Sequence, residues 1–99
     1  MIIIIGSAIA QADKLAELLA LSLAHVARSR TEPGCTAHAV HRDVENPLRL
    51  VFVEEWTGSE AVAAHFALPA SRAFIKAASA LTAKPPKMST YSATVMGLP

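Results

Sequence analysis

The residues of this 99-residue chain with chemical potential gather around its single tryptophan, Trp56, and a histidine nine positions later, His65. An imidazole has an ordinary pKa near 6.5, so His65 can take up a proton near neutral pH and return it, as a general base must. Glu54 lies two residues before the tryptophan. If it shares the face of Phe52 and Trp56 it points into the interior, where a carboxylate needs a partner, and a helix histidine or an arginine could be that partner. Both aromatic positions also have plainer roles: Trp56 as a core side chain, His65 as a helix-surface residue. The four histidines raise the question of a metal. His38 and His41, three apart on a strand, project to opposite faces and cannot share an ion, and there is no Cys-x-x-Cys or His-x-x-x-His, so no metal is expected. The sequence has no Gly-x-Ser-x-Gly elbow for a serine nucleophile. It also lacks a Gly-x-Gly-x-x-Gly or phosphate loop to seat a nucleotide.

These residues are positioned by a stretch that begins as a strand. Leu48, Leu50, Phe52, Glu54 and Trp56 alternate with Arg49, Val51, Val53, Glu55 and Thr57, and apolar groups fall on both faces, so both need covering. The chain then turns at Thr57-Gly58-Ser59 into a helix, with Ser59 as its N-cap, Glu60 at its positive end, and His65 and Phe66 about two turns in. Upstream, Ile2 to Ala10 reads as a β-branched first strand. Gln11 to Ser29 reads as an amphipathic helix with the stripe Leu15, Leu18, Leu19, Ser22, Leu23 and Val26. Thr31-Glu32-Pro33-Gly34 ends that helix, Cys35 to Arg42 forms a second strand, and Asp43 to Pro47 connects it to the central one. The later helix is interrupted near Pro69 and resumes from Ser71 to Leu81 through Phe74, Ala77 and Ala78. Pro85-Pro86 stops it, and Met88 to Met96, with Tyr91 and Val95, is the last strand.

This order predicts an α+β, ferredoxin-like fold: a four-stranded antiparallel sheet with its helices on one face. The other sheet face, carrying residues such as Val51 and Val53, would be wet in a monomer, at roughly 1.5–3 kcal/mol per large side chain. A second copy packed sheet to sheet removes that cost, which predicts a homodimer, a dimeric α/β barrel.

The chain is expected to be a single domain, 1–99, for which dimerisation would be a considerable help at this size. Its formal net charge is +1 with no basic stripe, so nucleic acid is not an expected partner. The apolar fraction is 53%, but 20 residues are alanine and no run approaches the roughly 20 apolar residues of a span, so no membrane is expected. MIIIIGSAIA has no basic leader and reads as a strand, not a signal peptide. One cysteine, Cys35, excludes an intrachain disulfide and fits a reducing, cytoplasmic setting.

Spread over roughly Ile2 to Val95 is an ordered set: Glu32-Pro-Gly-Cys35, Arg42-Asp43 with Pro47, Val53-Glu-Glu-Trp56, Ser59-Glu-Ala61, His65 and Pro69. In this the chain resembles the antibiotic biosynthesis monooxygenase family, whose members are dimeric α+β barrels. Many relatives are similar to quinol or anthrone monooxygenases, which oxygenate electron-rich rings without metal or flavin; others degrade haem, isomerise small sugars, or have no known activity. The resemblance implies a small quinol- or polyphenol-like aromatic and dioxygen as substrates, with no cofactor. On that reading His65 is the base, Trp56 and Phe52 stack on the ring, Phe66 and Phe74 close the pocket from the helix side, Tyr91 orients a substrate oxygen, and Glu54 borders the pocket. Two departures stand out. Haem-degrading relatives use an asparagine on the first strand, where this chain reads Ile5-Gly6-Ser7-Ala8, which tells against haem degradation. At His38 relatives often have an aromatic residue, so the imidazole widens or polarises any cavity it borders. The alternative from another class is a non-catalytic dimeric module that holds a small apolar ligand in the same pocket and needs no base.

Overall fold

The computed structural model describes residues 1–98, in the order β1 (Ile2–Ile9), α1 (Leu15–Ser29), β2 (Cys35–Arg42), β3 (Arg49–Trp56), α2 (Ser59–Ala67), α3 (Pro69–Ser79) and β4 (Lys87–Ser92). The strands form one antiparallel sheet in the order β2-β3-β1-β4. Each helical connection therefore crosses a strand that lies between the two it joins, which is the ferredoxin-like arrangement expected from the element order.

Register decides which side chains meet. Trp56 pairs with Ile2, Glu54 with Ile4 and His38, Phe52 with Gly6 and Val40, and Leu50 with Ala8. Directly paired residues share a face, so this row is the helix-covered one. Along β3 it is buried without a break at Leu50, Phe52, Glu54 and Trp56. The same helix-covered side holds the main core, where Leu50 and Phe52 pack with Leu18, Val26 and Ala78 from the helices. The opposite face carries Ile3, Ile5, Val51, Val53 and Tyr91, with Ile5 42% and Tyr91 51% exposed. Among the described residues no helix is long and apolar enough to cross a membrane.

Several boundaries differ from the sequence reading. Helix α1 begins at Leu15, not Gln11, because Gln11 is tied to the end of α3: its backbone N–H donates to Leu81 O at 2.9 Å and its side chain to Ala80 O and Thr82 O. Its buried stripe runs through Leu18, Ser22, His25, Val26 and Ser29, whereas Leu23 is half exposed. The cap of α2 is Gly58, with Ser59 the first helical residue. Helix α3 starts at Pro69 itself, since a proline at the first helical position gives up an N–H that has no partner there anyway. Strand β4 ends at Ser92 rather than Met96, because its partner β1 runs out at Ile2; Val95 lies beyond it and is exposed.

Candidate active site

His65 owes its surroundings to two neighbours in space. Trp56 closes β3, and its ring lies 4.7 Å, centroid to centroid, from the His65 imidazole on α2. On the other side comes the loop after α1. Gly34 there has φ +85°, and a Cβ at that position would stand 2.5 Å from Ala61 Cβ on α2. Its carbonyl accepts from the Thr57 N–H at 2.8 Å. Glycine is thus required for both conformation and approach, and this close seating brings Glu32 to within 2.7 Å of His65 Nδ1 through Oε1. An ionised carboxylate can only accept, so this contact assigns the proton to Nδ1 and leaves the lone pair on Nε2. That second edge is turned toward Glu54, whose Oε1 is 4.0 Å away, and toward a cavity of about 300 Å³. His65 itself is 2% exposed, so it is not the surface residue that its position on a short helix allowed. Its place in the last turn of α2 puts the carbonyl end of the helix beside any positive charge it gains.

The cavity is largely apolar. Phe52, Phe66, Phe74, Leu18 and Ile75 give it aromatic and aliphatic walls, while His25, His38, Glu54 and His65 supply polar atoms, with Ser7, Ser79 and Lys87 also on its lining. Glu54 Oε1 accepts from the Trp56 indole N–H at 3.0 Å, and its Oε2 is 3.7 Å from His38 Nε2. Burial pushes the Glu54 carboxyl above its ordinary range, with the Trp56 hydrogen bond and the His65 charge pulling the other way. Burial lowers His38 to about 4, helped by the charges of His65 and Arg30, so desolvation outweighs the nearby carboxylate and the imidazole stays neutral. His25 falls to about 3 through burial and then through His38, His65 and Arg28, and its ring stacks on Phe74 at 4.0 Å with 5° between planes. His38 Nδ1 is hydrogen-bonded to Ser29 Oγ, whereas its Nε2 is buried without a partner. Among the described residues no three His, Cys, Asp or Glu side chains are grouped to hold a metal ion.

The structure brings Phe52, Glu54, His65, Phe66 and Phe74 around one cavity and leaves two expected residues off it. Trp56 is fully buried behind His65 and Glu54, so it supports the polar wall and does not stack on a ligand. Tyr91 pairs with Ile3 on the opposite sheet face, since the two-residue side-chain period of a strand puts it out of step with Thr90 and Met88. It cannot orient a ligand in the cavity of its own protomer. Two residues of the site, His25 and Glu32, carried no assigned role in the sequence, and His38 carried only the expectation that it widens or polarises a cavity it borders. His25 had a local signal, lying seven positions after Leu18 and three after Ser22 on the stripe that α1 buries. His38 was placed on a strand without a face, and its pairing with Glu54 supplies that face. Glu32 had no local signal, because its contact spans 33 residues.

The site is a buried imidazole held by a carboxylate, over a largely apolar cavity on a ferredoxin-like sheet. The sequence model of the antibiotic biosynthesis monooxygenase family matches residues 1–77. This chain belongs to that family. An antibiotic biosynthesis monooxygenase candidate from Deinococcus radiodurans superposes with a TM-score of 0.90 at 30% identity, covering 98% of this chain and all of its own. Rv0793 from Mycobacterium tuberculosis superposes equally well, with a TM-score of 0.90 over 98% of both chains, and at 18% identity it supports the fold alone. The uncharacterized protein sll1783 of Synechocystis is 31% identical over 90 residues. That match takes in 91% of this monooxygenase-family chain, which spans 61% of the length of sll1783.

Proposed function

We propose that this protein is a cofactor-independent monooxygenase of a small quinol- or polyphenol-like aromatic, with His65 as the general base. The observation that supports it most directly is the Glu32–His65 pair at 2.7 Å beside a largely apolar cavity of about 300 Å³, at the small end of ligand sites. His65 Nε2 takes the proton of a ring hydroxyl, and the imidazolium formed is met by Glu32 and by the carbonyl end of α2. The resulting anion is electron-rich enough to react with dioxygen. One oxygen atom is incorporated at a ring carbon and the other leaves as water, the substrate supplying both electrons. Phe52, Phe66 and the stacked His25–Phe74 pair flank the ring and keep water from the anion. The neutral His38, with its unpartnered Nε2, offers a hydrogen bond to a second ring oxygen.

The proposal includes a homodimer formed through the open sheet face, supported by the row of Ile3, Ile5, Val51 and Val53, which no element among the described residues covers. The test of the base is oxygen uptake with 1,4-naphthohydroquinone and anthrone, corrected for autoxidation. His65→Ala should lower turnover by about 10²- to 10⁴-fold and leave binding of the aromatic largely intact. Undiminished turnover in His65→Ala would overturn the assignment and move attention to Glu54.

A further inference from the structure

His65 is the wall between two spaces. One is the cavity. The other is an open surface groove bordered by Glu32, Pro33, Thr57, Ser59, Ala64 and the outer side of His65. The Glu32 side chain, 16% exposed, lines that groove while its Oε1 holds His65 Nδ1 at 2.7 Å. The titratable groups packed around His65 are Glu32, Glu54, His25 and His38, and of these only Glu32 reaches the groove.

We infer that Glu32 is a positioning residue and proton outlet for the site, passing the proton gained at His65 Nε2 to the groove instead of back through the cavity. This rests on the reading of His65 as the base. A substrate filling the cavity leaves the Glu32 side as the way to bulk water. The substrate O–H bond breaks and an N–H bond forms at Nε2; the Nδ1 proton passes to Glu32 Oε1, and Glu32 releases it to water in the groove. Forming water from the second oxygen atom later consumes a proton, which returns along the same path in reverse, so each turnover restores the Nδ1–H form of His65. Neither His25 nor His38 can serve, since neither lines the groove or is hydrogen-bonded to His65; His38 also borders a second surface pocket, but its Nδ1 is bonded to Ser29 Oγ.

The test uses the full chain labelled with ¹⁵N-histidine. Long-range ¹H–¹⁵N correlation should show His65 as the Nδ1–H tautomer. Glu32→Ala should shift it toward Nε2–H, because the acceptor that holds the proton on Nδ1 is then gone; the amide of Glu32→Gln offers both an acceptor and a donor and fixes neither tautomer. With 1,4-naphthohydroquinone, formate admitted through the groove should restore part of the turnover lost in Glu32→Ala, whose shortened side chain leaves room for it, and Glu32→Gln should lower kcat at least about tenfold relative to wild type with KM little changed. Glu32→Asp, which keeps the acid at shorter reach, should fall between Glu32→Gln and wild type. An unchanged tautomer in Glu32→Ala, or full turnover in Glu32→Gln, overturns the inference; so does a loss in Glu32→Ala that formate does not relieve, since Glu32 would then only hold the ring. Retained turnover in His65→Ala sinks the base assignment instead, and the tautomer measurement, which needs no activity, still reads the Glu32 contact separately.

Discussion

Replacing Gly34 by alanine strikes the loop that carries Glu32 to His65, and the structure lets its cost be divided. At φ +85° an L-residue sits in the left-handed region, at about 1–2 kcal/mol. The new Cβ would also lie 2.5 Å from Ala61 Cβ and 2.8 Å from Thr57 Oγ1, well inside contact distance, and overpacking of this kind costs about 1–3 kcal/mol. The sum, about 2–5 kcal/mol, is a large share of the stability of a domain this size and should lower Tm by more than about 10 °C. Urea unfolding of a double-mutant cycle separates the two contributions. Ala61→Gly alone should cost about 1 kcal/mol through helix propensity. In that background Gly34→Ala should cost less than in wild type by the Ala61 share of that about 1–3 kcal/mol, because the clash with α2 is gone while the backbone strain and the Thr57 Oγ1 contact remain. A Gly34→Ala cost under about 0.5 kcal/mol, or equal costs in the two backgrounds, would refute the claim that this loop is seated on α2 through glycine.

Acid should destabilise the fold through its two depressed histidines. His25 and His38 titrate at about 3 and about 4 in the native state against 6.5 in the unfolded chain, so unfolded protein takes up protons that the fold refuses. Their contribution is fully present above about pH 6.5 and is lost as pH falls toward those values; Glu54, raised by burial, acts in the opposite sense in the same acid range. The urea midpoint should drop between pH 7 and pH 4.5 and drop less in His25→Phe, and an equal drop in both proteins would contradict the assignment. On the open sheet face, Ile5→Lys places a charge opposite Val53 and should convert a dimer to a monomer by light scattering. A monomeric mass for the wild type at micromolar concentration would remove the proposed dimer.

The sheet and its helices were legible because they rest on local pattern. The alternation from Leu48 to Thr57, the helical stripe through Leu18, Ser22 and Val26, the break at Pro69 and the turn at Pro33-Gly34 each follow from side-chain period or backbone restriction over a few residues. The same alternation sufficed to turn Glu54 inward with Phe52 and Trp56. What the chain alone left undecided was which polar side chains meet. Gln11 leaves α1 for the end of α3, and β4 stops where β1 gives it no partner. Tyr91 falls on the far face through its pairing with Ile3. Trp56 stands behind the cavity instead of on it, because its indole N–H satisfies the buried Glu54. The contacts from Glu32 to His65, from Ser29 to His38 and from His25 to Phe74 join residues from different elements. Local periodicity sets the face a residue presents; its partner and its protonation depend on which distant element shares that face and on how much water the packing excludes, and those are properties of the assembled fold.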